Sequence, residues 1–107
     1  MKIIGVVETK FSASHTVIDH PQCGELHGHE WHVRIEIPFL DASLIPGVIS
    51  EIVAYHRKDL NRFLPGVETT CSGLAFYFRE KLSDFPVEAI EITTDDGLGA
   101  RVEWPNR

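Results

Sequence analysis

Apolar and polar positions alternate through the first third of the chain. Over residues 2–15, Ile3, Gly5, Val7, Thr9, Phe11, Ala13 and His15 share one parity, although Ile4 and Val6 blur the alternation. The pattern is cleaner over residues 27–39. There Trp31, Val33, Ile35, Ile37 and Phe39 fall on one face, and His32, Arg34 and Glu36 on the other. Period-two alternation predicts two half-buried strands. Asp19, Pro21 and Gly24 predict a loop over 16–26. A second loop is expected over 41–47. The period then changes. Ile49, Ile52, Val53, His56, Leu60 and Phe63 lie along one helical stripe, which predicts a helix over 50–63 with Ser50 as its cap and Pro65-Gly66 as its end. Leu74, Ala75, Phe78 and Leu82 predict a second helix over 70–83, capped by Thr69 or Thr70. Ile90 and Ile92 point inward from a strand over 87–94. Residues 95–99 form a turn, and Ala100, Val102 and Trp104 belong to a last strand over 100–104.

The order ββααββ implies an α+β fold, with one antiparallel sheet and both helices on one of its faces. At 107 residues the chain fits a single domain spanning 1–107, without an internal linker. The bare face and the sheet edges invite oligomerisation. The formal net charge is −6 and no Lys/Arg-rich stretch stands out. That balance argues against nucleic acid and against an anionic membrane surface as partners. It leaves room for an anionic small molecule, because a metal and a few local cations can outweigh the net charge. The apolar run at 1–7 is too short for a signal peptide or a membrane span. A cytoplasmic location follows as the expectation, with Cys23 and Cys71 as free thiols.

Histidine changes the picture. Five of the six, His15, His20, His27, His29 and His32, fall within one 18-residue window. His27 and His29 are two apart on a predicted strand and point the same way. They share the parity of Trp31 and Val33, at the mouth of the apolar face. His15 ends the first strand with the parity of Phe11 and Ala13. If the two strands pair as a hairpin, the three imidazoles meet. Three histidines with an open fourth position suit a catalytic zinc ion, and imidazole also accepts other first-row metals. Gly28 between the two histidines would let another backbone or a ligand approach. His32 has the opposite parity and reads as solvent-facing, and His20 precedes Pro21 in the loop with no role. Cys23, four residues before His27, is either a thiolate base or nucleophile beside the metal or the fourth ligand of a closed structural site. Cys71 reads as a small buried hydrophobe.

Phe11-Ser12-Ala13-Ser14-His15 followed by Cys23-Gly24-Glu25-Leu26-His27-Gly28-His29 resembles the zinc-site signature of the 6-pyruvoyl-tetrahydropterin synthase family. That family includes the 6-carboxy-tetrahydropterin synthases of queuosine biosynthesis. The resemblance is strong over residues 1–40 and weaker beyond. It implies the T-fold (tunnelling fold), and zinc held by His15, His27 and His29, with Cys23 as the catalytic cysteine. The implied substrate is 7,8-dihydroneopterin triphosphate. Zinc holds the side-chain hydroxyls and acidifies the adjacent C–H while the thiolate moves the proton. Triphosphate is eliminated, and the carboxy branch also loses acetaldehyde. The resemblance further implies a homohexamer with active sites shared between subunits.

The later motifs depart from the family. Its L-D-H-x-x-L-N motif is met here either at Leu60-Asn61, which puts His56 at the aspartate and Arg57 at the histidine, or at His56, which puts Tyr55 at the aspartate with the spacing off by one. His56 is retained as a candidate proton-transfer residue, against the reading of a satisfied buried histidine. The P-T-x-E-N motif is reduced to Thr69-Thr70-Cys71-Ser72-Gly73. The glutamate that anchors the pterin ring matches Thr94, with Asp95 or Asp96 adjacent. A carboxylate belongs there because a pterin edge offers paired N–H donors. Thr94 and Asp95 are therefore the candidate substrate contacts, against the reading of a solvated turn. Lys10 and Arg57 are candidate phosphate contacts that spacing does not single out. Three readings remain: a zinc-dependent lyase, a diverged T-fold protein that binds zinc and a pterin or purine without turnover, and a domain with a purely structural zinc.

Overall fold

The computed structural model describes residues 3–16, 26–38 and 42–104. Strands β1 (Gly5–His15) and β2 (His27–Ile37) are followed by a 3-10 turn at Ala42–Leu44. Helices α1 (Ile45–Val53), α2 (Leu60–Phe63) and α3 (Cys71–Lys81) come next, then β3 (Ala89–Thr94) and β4 (Gly99–Glu103). The sheet order is β1-β2-β3-β4, antiparallel throughout. The expected α+β layout, a four-stranded antiparallel sheet with helices over one face, is the T-fold architecture.

Alternation fixes which face the helices cover. Val7, Phe11, Ala13 and His15 are buried on β1, as are Trp31, Val33, Ile35 and Ile37 on β2, while Glu8, Ser12, His32 and Arg34 are exposed. Val48 and Ile52 of α1, Leu60 of α2, and Leu74, Ala75 and Phe78 of α3 complete the core. α1 packs toward β1, and α3 toward β3 and β4. Trp31 and Phe11 stack at a ring separation of 6.2 Å, and the indole N–H donates to the Ala13 carbonyl at 3.1 Å. That bond satisfies the one polar atom of a fully buried side chain.

The helix expected over 50–63 is two helices. α1 begins five residues earlier, with Pro46 in its first turn where no N–H is needed, so Ser50 is interior rather than a cap. The expected loop over 41–47 is therefore partly helical. The helix stops because the next segment bonds to the sheet. Arg57 N–H donates to the Ser12 carbonyl at 2.6 Å, and the Lys58 carbonyl accepts from Ser14 N–H at 3.0 Å. A parallel bridge pairs Ser14 with Asp59. Arg57 turns the chain with φ +62°. α2 restarts on Asp59, whose carboxylate accepts from Asn61 N–H at 3.2 Å. His56 is thus not on a buried helical stripe but exposed in the turn, where its Nδ1 accepts from Ser12 N–H at 3.1 Å. The second helix runs close to its expected bounds, capped by the Thr70 hydroxyl, which accepts from Gly73 N–H at 3.1 Å. Among the described residues no helix is long and apolar enough to cross a membrane.

Candidate metal centre

The hairpin register brings the three histidines together. His15 is paired directly with His27, and His29 with Ala13. Their ring centroids are 4.4 Å (His15–His27), 4.7 Å (His27–His29) and 5.1 Å (His15–His29) apart. One nitrogen from each lies within 4.8 Å of the others, and a metal ion fits among them. Trp31 forms the floor, edge-on to His15 at 4.9 Å and to His29 at 5.6 Å.

Two of the rings have their tautomer set by what Nδ1 touches. His15 Nδ1 lies 2.6 Å from the Thr69 carbonyl oxygen. A carbonyl only accepts, so Nδ1 carries the proton and Nε2 keeps its lone pair. That Nε2 is buried without a hydrogen-bond partner among the described residues. His15 itself is only 5% exposed. A buried lone pair left unanswered is costly, and a metal ion is what answers it. His29 Nδ1 lies 2.8 Å from Asp95 Oδ1, which leaves its Nε2 for the cluster. Burial pushes the His15 pKa down, against the Thr69 hydrogen bond. The bond to His29 holds Asp95 below the usual carboxylate range. Both effects favour what a metal needs, neutral imidazole beside ionised carboxylate.

The end of β1 is pinned so that His15 keeps its place. Thr16 N–H donates to Asn61 Oδ1 at 2.7 Å, and Asn61 Nδ2 donates to the Thr16 carbonyl at 3.1 Å. The Thr69 hydroxyl donates to the same carbonyl at 3.2 Å. The Asp95–Asp96 turn is held by Thr94 N–H donating to the Leu98 carbonyl at 2.8 Å, with Gly97 at φ +87°. That conformation suits glycine.

Two recesses meet at His29. One is a cavity of about 260 Å³ lined by His15, His29, Trp31, Cys71, Thr94 and Asp96. The other is an open groove of about 510 Å³ lined by Ser12, Ser14, His29, Arg57, Lys58 and Asp95. Of the candidate residues, the structure brings together His15, His27, His29, Thr94 and Asp95. Thr94 faces the cavity, its hydroxyl donating to Asp96. Asp95 sits on His29, at the groove. His56 lines neither recess. Cys23 and His20 lie outside the described residues. His32 is exposed as expected, 3.0 Å from Glu30. Cys71 is not the buried hydrophobe expected. It is half-buried at the cavity wall, and burial pushes its thiol pKa up. Gly28, expected to let another backbone or a ligand approach, lines the groove, and a Cβ there would meet nothing within 4 Å. The sequence reading missed the Thr69 carbonyl, which leaves no trace in residue identity. It also missed Asn61 as the residue that pins β1, although Asn61 stood inside the examined motif.

Comparison with known proteins adds a family. A family model described as 6-pyruvoyl tetrahydropterin synthase matches residues 5–103. A curated Archaeoglobus fulgidus protein with the provisional name 6-carboxy-5,6,7,8-tetrahydropterin synthase is 35% identical over 60 residues. The match covers 49% of this chain and 51% of the relative, so the chain spans about half of that relative's length. The solved 6-pyruvoyl tetrahydropterin synthase of Caenorhabditis elegans superposes with a TM-score of 0.81 at 15% identity, covering 96% of both chains. That of Plasmodium falciparum superposes at 0.58 and 13% identity, covering 94% of this chain and 96% of its own. At such identities the superpositions speak for the fold.

Proposed function

The chain belongs to the 6-pyruvoyl tetrahydropterin synthase family, and from that premise we propose that it is a zinc-dependent carbon–oxygen lyase acting on 7,8-dihydroneopterin triphosphate. The product in this reading is 6-carboxy- or 6-pyruvoyl-tetrahydropterin, with elimination of triphosphate. The observation that carries it is the histidine cluster: three convergent nitrogens, two of the rings oriented through Nδ1, and a recess on either side.

His15, His27 and His29 hold the ion, which supplies Lewis acidity toward the substrate hydroxyls when bound. The chain does the rest. Thr69 and Asp95 fix the ring orientations, and Trp31 shields the floor from water. Thr94, with the Asp96 carboxylate behind it, offers hydrogen bonds to a heterocycle in the smaller cavity. Cys23 is the general base of this reading; His56, exposed and outside both recesses of its own chain, is its second proton-transfer candidate only toward a neighbouring subunit's site. A cytoplasmic setting, where both thiols stay reduced, and assembly into a hexamer complete the proposal. One observation favours binding without turnover. Thr94 stands where the family's anchoring glutamate is expected, and its hydroxyl is already engaged with Asp96.

The test is elemental analysis for one equivalent of zinc, then incubation with 7,8-dihydroneopterin triphosphate and mass spectrometry of the pterins. Loss of triphosphate with a new pterin is the expected result, and the product mass identifies the branch. Intact substrate with zinc fully bound moves the protein to the binding reading. Cys23→Ala separates a base from a structural ligand. Retained zinc with lost turnover is expected, whereas zinc and stability lost together mean a fourth ligand.

A further inference from the structure

Three cations of this chain are paired with acids: Arg101 contacts Glu36, Glu91 and Glu103, Lys10 pairs with Glu30, and Lys81 with Glu51. Arg57 and Lys58 are not, and unlike Arg34, Arg62 and Arg79 they lie beside the histidine cluster. Among the described residues neither head group has an ion-pair partner, and Lys58 Nζ rests 4.9 Å from the centre of the Phe63 ring. Both line the open groove beside His29. Among the described residues, the acids on that groove are already engaged: Asp95 with His29, Glu30 with Lys10 and His32.

The two cations are also held in place. Arg57 adopts φ +62°, which is strained for a residue with a side chain. It is kept there by Arg57 N–H on the Ser12 carbonyl and by Ser14 N–H on the Lys58 carbonyl. The strand that ends in His15 thus carries the cations at its edge. Ser12 and Ser14 add two hydroxyls to the groove. The smaller cavity, by contrast, has Trp31 and Thr94 in its wall and, among the described residues, no arginine or lysine. His29 is common to both. The site is therefore bipartite, with a ring-sized recess on one side of the histidines and a cationic, hydroxyl-lined groove on the other.

We propose that Arg57 and Lys58, with the hydroxyls of Ser12 and Ser14, form the polyphosphate arm of this site. The triphosphate of a ligand lies along the groove while its heterocycle occupies the cavity. A guanidinium presents paired donors to phosphate oxygens, and the lysine adds a mobile charge. The inference rests on reading the ligand as a triphosphate ester.

The test is calorimetric titration of zinc-loaded protein with inorganic triphosphate, with zinc content measured again afterwards. The Arg57→Ala/Lys58→Ala double variant is expected to bind about tenfold more weakly or worse, with zinc content unchanged. Lys81→Ala, whose ion pair with Glu51 lies away from the groove, binds like the wild type. Arg57→Gly keeps the backbone conformation accessible and serves if the double variant folds poorly. Its affinity should also fall. No binding by the wild type, or equal binding by the groove variants, overturns the proposal. Turnover separates this inference from the lyase reading. Triphosphate bound through Arg57 and Lys58 without turnover leaves the arm standing and removes the lyase. Turnover with an unchanged KM in the double variant does the reverse.

Discussion

His15 and His29 each commit Nδ1 to an oxygen of the protein and turn Nε2 toward the cluster. The two oxygens differ in how they can be tested. Thr69 offers a backbone carbonyl, beyond the reach of side-chain substitution. Asp95 offers a carboxylate, and Asp95→Ala should weaken zinc binding by about 10- to 100-fold, as loss of an orienting partner typically does. Competition with a chromophoric chelator measures this. An unchanged affinity means that the carboxylate does not orient the ring. His15 also gives the metal-free protein a pH dependence. Its folded-state pKa lies below the ordinary value, with burial as the main cause. As pH falls through about 6.5 the unfolded chain takes up the proton and the folded chain does not. The contribution is thus complete above that pH and is lost as pH falls toward and through the folded-state value. Urea titrations of metal-free protein at pH 7.5 and 5.5 should show a lower midpoint at 5.5, and His15→Gln should flatten the difference. At this scale the ligands were legible because parity alone aligns His15, His27 and His29. Their partners were not, because a carbonyl has no residue type and Asp95 reaches His29 only through the tertiary fold.

Strands were the easier elements to foresee. Trp31, Val33, Ile35 and Ile37 alternate with polar residues, and a slip of one would turn all four to solvent. The 50–63 helix failed for a reason of the same kind. Its apolar spacing is real, and Ile52 and Leu60 are both buried. A bonding edge on β1 then competes with the helix for the backbone of residues 57–59, and the edge wins. Phe63, on the supposed buried stripe, is 51% exposed as a result. Two substitutions probe these elements. A Cβ on Gly73 would stand 2.0 Å from the Glu68 carbonyl oxygen, so the α3 start has no room for it. Gly73→Ala should cost about 1–3 kcal/mol, as overpacking does, read as a lowered denaturation midpoint. Arg57→Gly should leave the melting temperature unchanged or raise it, since glycine accepts φ +62° without steric cost. A clear drop would mean that the arginine side chain stabilises the turn.

For the molecule as a whole, a metal held by the folded state alone adds stability by mass action. At a free ion concentration a thousandfold above Kd the gain is about 4 kcal/mol. Chelation should therefore lower the melting temperature by well over 5 °C, and zinc should restore it. A His27→Ala variant should not respond to either treatment. The sheet carries one more consequence. Residues 57–59 cover only the far end of β1. Among the described residues no backbone bond beyond the β2 ladder reaches Val6–Lys10. Followed across the pairings, Lys10 stands level with His32, Thr93 and Gly99, and Val6 with Glu36, Ala89 and Glu103. The uncovered stretch of β1 and the whole of β4 thus match in length and height at opposite ends of the sheet, and they run in opposite directions. Two unlike edges with that match can meet head to tail, each copy's β4 beside the next copy's β1, without interrupting the antiparallel order. Such a contact is heterologous. The right-handed twist of a sheet then decides whether its repetition closes into a ring of fixed number or runs on as a filament.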